Sequence, residues 1–291
     1  MGRLIPTLIL CLHLGILFAM PRQKPVNTIN VTALPAYNWL KYHANDIQSE
    51  GKFDVGLGLV FRRQFHEHFQ FAAGINYRKY HGTIDFNGMK DSVHMIDPAE
   101  NDRYWLYKIF NQAEAQTLTC IEPNIRLESL LPLNSSVIFI AGIGLGLSVN
   151  LAETNQMTRG SFRRYAWYYE NHNTLEYVPS LGLDTYTNFQ NPIQGKAFKH
   201  SLFALGEIGF RFNFSPNFQV LMLGIFQYSL HNTQAIQDDF IQHQSYSGIA
   251  ASHIPQGVRA VSAGLELSLS FRIPRVEKPK APQKIRSRHC P

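Results

Sequence analysis

The chain has 291 residues, a formal net charge of +6 and three cysteines. Most of the charge comes from a basic C-terminal segment, so the basic balance does not indicate a nucleic-acid-binding face. After the first twenty residues no stretch approaches the length of a membrane helix, and the cysteines are too few and too distant for a disulfide framework.

The N-terminus has the features of a secretory signal. Arg3 supplies the charged start and an apolar run follows from Leu4 to Phe18. We therefore predict a signal peptide at residues 1–19, ending at Ala19. A retained N-terminal anchor remains the alternative.

Segments in which apolar residues alternate with small or polar ones follow in series. This period of two is typical of strands. The first is interrupted by Pro35, and Pro123 predicts a bulge or irregular pairing in the fourth. The eight predicted strands are Thr28–Tyr42, Phe53–Arg62, Phe69–Tyr77, Thr117–Glu128, Val137–Leu151, Ser201–Asn213, Phe218–Leu230 and Val261–Arg272.

The gaps between the strands alternate in length. Short gaps fall at Gln64–His68, Pro132–Ser135 and Ser215–Asn217. Long gaps lie near His43–Lys52, Asn87–Gln112, Ala152–Lys199 and His231–Gly257. This rhythm predicts an all-β fold over residues 20–273: an eight-stranded antiparallel up-and-down transmembrane β-barrel with short periplasmic turns and long outer loops.

The two faces of the strands distinguish this barrel from a soluble one. In Phe53–Arg62 one face is apolar, and the other carries glycine, valine and single charges. A soluble lipocalin-like barrel would turn its polar face to water, yet the seven strands from Phe53 onward contain no lysine. Small and amide side chains suit a narrow lumen better, so we favour the membrane barrel. The lipocalin-like ligand-binding barrel stays open as an alternative.

Charged residues recur on the face assigned to the lumen. Glu122 and Arg126 lie four apart, as do Glu207 and Arg211, so each pair shares a face of its strand. A buried charge needs a partner or water, so the group could form a closed plug or line an ion path. The predicted luminal charge network consists of Asp54, Arg62, Arg78, Glu122, Arg126, Glu207, Arg211, Glu266 and Arg272.

The predicted outer loops are rich in residues that dominate binding hot spots. These residues either bind a protein partner, extend the barrel wall, or meet lipopolysaccharide headgroups and outer-membrane lipid. The candidates are Tyr104, Trp105, Arg163, Arg164, Tyr165, Trp167, Tyr168 and Tyr169.

Signals for chemistry are weak. His231 and Thr233 have the His-x-Ser spacing of lipid A deacylases, but threonine replaces serine. The His66-Glu67-His68 run lies in a tight turn without a third metal ligand nearby. Phosphate loops, CxxC pairs and HExxH helices are missing from the sequence. We expect no catalytic residue, cofactor or metal, with an enzyme acting on lipid A or peptides as the alternative.

The last strand carries a short pattern: a polar residue, glycine two positions later, then spaced apolar residues. It consists of Ser262, Gly264, Leu267, Leu269 and Phe271. The pattern resembles the assembly signal of small Gram-negative outer-membrane barrels, the OmpA/OmpX-like and PorT-like proteins, and the architectural resemblance covers residues 28–271. It implies a location in the outer membrane, insertion by the β-barrel assembly machinery, and a role in the envelope or in secretion. Residues 272–291 continue beyond the usual final phenylalanine and are too few for a peptidoglycan-binding domain.

Residues 274–291 form a predicted basic, Pro-rich flexible tail. Because the assembly signal ends at Phe271, we expect that deletion of Lys278–Pro291 leaves folding and membrane insertion unchanged. Heat-modifiable gel migration of the outer-membrane fraction measures this. Failure of the truncated chain to insert would show that the tail contributes to assembly.

Overall fold

The computed structural model describes residues 26–43, 48–96, 103–169, 172–187, 198–234 and 257–273. The predicted signal peptide, residues 1–19, and the predicted tail, residues 274–291, lie outside the described residues. No helix in the described ranges is long and apolar enough to cross a membrane.

Eight long strands form a closed antiparallel ring, as predicted. Each pairs with the next in the chain, and the last pairs with the first from Thr28↔Arg272 to Tyr42↔Val258. Three short strands lie at its edges: β2 (Gln48–Glu50), β7 (Asn173–Leu175) and β8 (Thr185–Thr187). The eight ring strands are β1 (Val26–Tyr42), β3 (Lys52–His66), β4 (Phe69–Ile96), β5 (Arg103–Pro132), β6 (Val137–Tyr168), β9 (Ser201–Asn213), β10 (Phe218–Ser229) and β11 (Val258–Arg272).

Pro35 and Pro123, which lie in the interior of strands, each interrupt one ladder without breaking the ring, because each lacks one backbone donor. The β1–β11 ladder has no pair at Leu34 or Pro35 and then resumes in the same register. The β5–β6 ladder likewise omits Glu122 and Pro123. Irregular pairing at Pro123 is therefore confirmed. The register shifts of this ladder lie elsewhere, between Ala113 and Glu114 and between Thr119 and Cys120.

Three tight turns lie at the end of the barrel where β1 begins and β11 ends. In the turn after β5, the Asn134 side-chain oxygen accepts hydrogen bonds from the backbone amides of Ser136 and Val137, both at 2.8 Å. In the turn after β9, the Ser215 hydroxyl oxygen accepts from the Phe218 amide at 3.1 Å. These side-chain acceptors replace ladder bonds where the chain reverses.

The outer wall of the barrel is apolar and its interior is polar. On β3, Phe53 is 67% exposed whereas Arg62, on the other face, is 2% exposed. Exposed apolar side chains form one band around this wall, and in outer-membrane barrels such a band is about 25 Å tall. Its members include Ile29 and Tyr37 on β1, Phe53 and Phe61 on β3, Phe71 and Tyr77 on β4, and Leu265 and Phe271 on β11. We call it the apolar belt. A soluble barrel of the lipocalin type would bury this face, so that alternative is wrong, and the chain is an outer-membrane barrel.

The predicted long loops at Asn87–Gln112 and Ala152–Lys199 need correction, because much of each continues the barrel strands. The strands β4, β5 and β6 contain 28, 30 and 32 residues. The β4–β5 ladder continues to Ile96↔Arg103 and the β5–β6 ladder to Tyr104↔Tyr168. These three strands therefore rise above the apolar belt as a sheet, which we call the extension. Of the predicted loop His231–Gly257, the structure describes only the two ends.

The β1–β11 seam depends on a glycine. A Cβ atom at Gly264 would lie 2.5 Å from Cα of Ala36 and would also meet the backbone oxygen of Pro35. We expect Gly264→Ala to lower the free energy of unfolding by about 1–3 kcal/mol, since backbone atoms must shift. Urea unfolding in detergent micelles measures this effect.

Gly206→Ala is the matched control, because a Cβ atom there would meet no atom within 4 Å. Equal unfolding midpoints for the two variants would contradict the close approach of β1 and β11.

Candidate functional site

Five charged side chains meet inside the barrel at the level of its short turns. The Arg62 guanidinium contacts Glu128 at 3.0 Å and Glu266 at 2.7 Å. The Arg126 guanidinium donates to Glu207 and Glu266, both at 2.7 Å. All five are at most 5% exposed, and they come from β3, β5, β9 and β11. Glu266 on β11 thus bridges an arginine of β3 and an arginine of β5.

A second layer lies nearer the outer end. Nε of Arg78 lies 3.3 Å from Glu122, and the Tyr80 hydroxyl donates to Glu122 at 2.7 Å. The Gln227 amide donates to the same carboxylate at 2.8 Å, while Arg78 donates to the Ser262 hydroxyl at 2.7 Å. This layer ties β4, β5, β10 and β11 together across the lumen.

Arg211 joins the first layer through an amide. Its guanidinium donates to the Gln70 side-chain oxygen at 2.7 Å, and the Gln70 nitrogen donates to Glu128. These two layers therefore hold four arginines and four glutamates, with no net charge among these eight. This arrangement is a filled interior cross-linked by ion pairs. Its members are Arg62, Arg78, Arg126, Arg211, Glu122, Glu128, Glu207 and Glu266.

The predicted network differs from this cluster at three positions. Asp54 lies outside the cluster because β3 separates from β4 beyond Leu57, and its carboxylate contacts Nε2 of His81 at 3.1 Å. Arg272 is exposed at the end of β11. Glu128 was not predicted, although it falls on the same face as Glu122 and Arg126. Its even number, shared with Glu122 and Arg126 on β5, could have identified it, because alternate residues of a strand face the same side.

Glycines on β6 provide the space for the long luminal side chains. A Cβ atom at Gly142 would lie 2.6 Å from the Glu207 carboxylate and 3.0 Å from Cγ of Glu128. A Cβ atom at Gly146 would meet the ring of Phe203. The glycine-rich face of β6 is therefore complementary to the ion-pair cluster.

At the outer end of β1, Tyr42 is buried in the lumen. Its hydroxyl donates to the side-chain oxygen of Gln116, whose nitrogen donates to Glu114 at 3.2 Å.

The residues of the predicted assembly signal alternate between the two faces of β11. Ser262 is buried in the lumen, and Gly264 lies at the seam with β1. Leu267, Leu269 and Phe271 face outward from the apolar belt. The structure contains no assembly partner, so recognition of this strand stays a prediction.

The predicted loop-binding residues are brought together at the end of the extension. Tyr104 pairs with Tyr168 and Trp105 pairs with Trp167 along the β5–β6 ladder. Tyr165 pairs with Tyr107 below them. Strand β7 pairs with β6 at Ala166–Tyr168, and β8 pairs with it at Ser161–Arg163.

Beyond β6 an exposed aromatic surface forms. Tyr169 and Tyr177 are 62% and 63% exposed, and Leu181 is 62% exposed. The Trp167 ring contacts Tyr169 edge-on at 5.7 Å between centroids, and His172 lies 6.4 Å from Trp167. The guanidinium of Arg163 lies 4.8 Å from the Tyr177 ring centre and pairs with Glu176. We call this group the tip surface: Arg163, Trp167, Tyr169, His172, Tyr177 and Leu181.

Sequence reasoning identified part of the tip surface. Arg163, Trp167 and Tyr169 were candidates, whereas His172 and Leu181 carried no signal in sequence. Arg164 lies one residue from this surface, and its backbone amide donates to the Asp184 oxygen at 3.0 Å.

The two histidine motifs lie at opposite ends of the barrel. The Thr233 hydroxyl donates to the Val258 backbone oxygen at 2.9 Å and is buried, while His231 is exposed. The rings of His66 and His68, at the turn after β3, lie 5.7 Å apart between centroids and are tilted by 48° to each other. Within the described residues no group of three or more His, Cys, Asp or Glu side chains could hold a metal ion.

The ion-pair cluster makes a stability prediction. Arg126→Ala leaves Glu207 and Glu266 without this partner in a buried site, so we expect a loss of about 3–5 kcal/mol in the free energy of unfolding. Urea unfolding in lipid vesicles measures it. Arg159→Ala is the control, because it breaks the exposed 2.8 Å pair with Asp85 and should cost less than about 1 kcal/mol. Equal losses would show that the luminal pairs do not stabilise the barrel.

No protein-family model matches the chain, and no curated protein matches it in sequence. Neisserial surface protein A is similar at 9% identity and a TM-score of 0.35, over 86% of this chain and 100% of that one. The outer membrane protein OprG from Pseudomonas aeruginosa matches at 10% identity and a TM-score of 0.41, over 87% and 98%. Ail, the attachment invasion locus protein of Yersinia pestis, matches at 10% and 0.31, over 86% and 100%. At these values the likeness carries no argument about function.

Proposed function

We propose that the chain is a non-enzymatic outer-membrane barrel that binds a partner at the cell surface through the tip surface. The observation that carries this proposal is the continuation of β4, β5 and β6 above the apolar belt to a cluster of exposed aromatic side chains. The lumen below is filled by ion pairs, so the barrel itself serves as a support.

The extension is suited to hold a binding surface away from the membrane. Its β4–β5 ladder has a single register shift above the belt, between Asn87 and Met89. From Tyr77, at the outer edge of the belt, to Ile96 the strand rises about 60 Å along its own direction. Continuous backbone hydrogen bonds hold the surface with less freedom than a loop of this length would have.

The chemistry of the tip surface fits recognition. Tyrosine, tryptophan and arginine are enriched in hot spots because they bury large areas with few rotatable bonds. Ring contacts hold Trp167 and Tyr169, while Glu176 and the Tyr177 ring hold Arg163. A partner would therefore meet side chains that are already ordered.

The resemblance to OmpA/OmpX-like and PorT-like proteins implies roles in the envelope or in secretion. We favour surface binding among these roles, because the aromatic side chains of the tip surface face the exterior of the cell. An outer-membrane enzyme acting on lipid A or peptides is the competing function, and analysis of lipid A distinguishes it from surface binding.

The test uses purified full-length protein in detergent, applied to immobilised glycans and immobilised extracellular proteins. We expect wild-type protein to bind at least one probe, and Tyr169→Ala/Tyr177→Ala to weaken that binding roughly tenfold or more. Phe214→Ala is the matched control, because Phe214 is similarly exposed but lies at the opposite end of the barrel.

Unchanged binding by the double variant would contradict the proposed surface. Mass spectrometry of lipid A from cells with and without the protein tests the enzyme. A change in lipid A that His231→Ala abolishes would favour the enzyme over surface binding.

A further inference from the structure

Two basic residues are direct cross-strand partners at the outer edge of the apolar belt. Lys41 on β1 pairs with Arg259 on β11 in the ladder that closes the barrel. Both side chains lie on the outer face of the wall, where Lys41 is exposed and Arg259 half-buried. The pair stands two residues beyond Trp39 and Val261, which pair with each other at the upper limit of the belt.

Like charges directly opposite one another destabilise an antiparallel pair. Within the described part of the chain, neither Lys41 nor Arg259 makes an ion pair with a carboxylate. An anion bound between them would remove the repulsion. The seam of the barrel thus carries two adjacent positive charges that lack a negative counterpart among the described residues.

Arg259 is held in a fixed position. One of its terminal nitrogens donates to the backbone oxygens of Ser229 and Leu230, both at 2.8 Å. Its guanidinium also lies 5.4 Å from the centre of the Tyr228 ring. Because a guanidinium has five N–H donors, those on its other nitrogens remain available to an oxyanion. Lys41 adds an ammonium group on a flexible side chain, which can turn towards the same anion.

Immediately below the pair lies a group of mostly aromatic side chains. Trp39, Val261 and Tyr228 are neighbours on three adjacent strands at one level of the wall. Tyr37 lies below Trp39, with ring centroids 5.5 Å apart. Aromatic side chains with a polar edge favour the boundary between hydrocarbon and headgroups. The basic pair therefore sits about 5 Å above that boundary, at the depth of lipid phosphates.

We propose that Lys41 and Arg259 bind a phosphate group of a phosphorylated outer-leaflet lipid, whose acyl chains lie along the apolar belt below Trp39 and Tyr228. The outer leaflet of a Gram-negative outer membrane supplies such phosphates as lipid A. The site is separate from the tip surface and does not depend on its function. The bound lipid lies against the outer face of the β1–β11 seam.

Native mass spectrometry and titration of the folded full-length protein in detergent micelles test this site. The probes are diphosphoryl lipid A, the same lipid without its phosphates, and inorganic phosphate. We expect diphosphoryl lipid A to bind Lys41→Gln/Arg259→Gln roughly thirtyfold more weakly than wild type, about fivefold for each lost charge. The phosphate-free lipid should bind both proteins equally weakly.

Arg63→Gln is the matched control, because Arg63 is an exposed basic residue on the outer face at the opposite edge of the belt. It should bind diphosphoryl lipid A as wild type does. Arg259→Lys keeps the charge but loses the fixed guanidinium, so an intermediate affinity is expected. Heat-modifiable migration confirms that each variant is folded, and single substitutions replace the double one if it fails to fold.

Three outcomes would overturn the proposal. Equal binding of diphosphoryl lipid A by wild type and the double variant would show that neither residue contributes to lipid binding. Competition by inorganic phosphate at low millimolar concentration would identify a site for a soluble anion. Unchanged lipid binding with lower thermal stability of the double variant would assign the pair a role in the stability of the barrel and not in lipid binding.

Discussion

The structure depends on the requirement that a chain inside a bilayer satisfies its polar groups internally. Pairing of β11 with β1 meets this requirement for the backbone where the first and last strands meet, since it closes the ring from Thr28↔Arg272 to Tyr42↔Val258. The same requirement applies to the charged side chains, which meet one another inside the lumen. Glu266 shows both effects, because it lies on the closing strand and accepts from Arg62 and Arg126 of other strands. Ring closure and charge pairing therefore stabilise one another.

The strands that cross the bilayer could be predicted because their two faces meet different environments. Hydrocarbon outside and a crowded lumen inside give each strand a period of two, as in Phe53–Arg62 and Val261–Arg272. The proline in β1 did not prevent its prediction, since Ile29 and Val31 still mark the outer face. The four luminal arginines and three of the four glutamates followed from the same parity, whereas Glu128 shares that face but was not predicted. The exceptions have local causes: β3 leaves β4 near Asp54, and Arg272 lies where the wall ends.

The extension could not be predicted from periodicity, because above the belt neither face of the sheet is required to be apolar. In β4 the residues Lys90, Asp91 and Ser92 belong to the ladder as fully as Ile75 does. Their sequence is that of a polar loop, while backbone pairing alone makes them a strand. The tip surface could be predicted only in part. Trp167 and Tyr169 stand out by residue type, whereas His172 and Leu181 come near them through chain reversals that residue type does not reveal.

The filled lumen also constrains the order of events during assembly. The extension contains polar and charged residues on three strands, and it ends on the far side of the bilayer from both barrel termini. Once Arg62, Arg126 and their carboxylate partners have met, the interior has no space through which such a segment could pass. The upper parts of β4, β5 and β6 must therefore cross the membrane while the wall is still open. Formation of the ion pairs and pairing of residue 28 with residue 272 come afterwards.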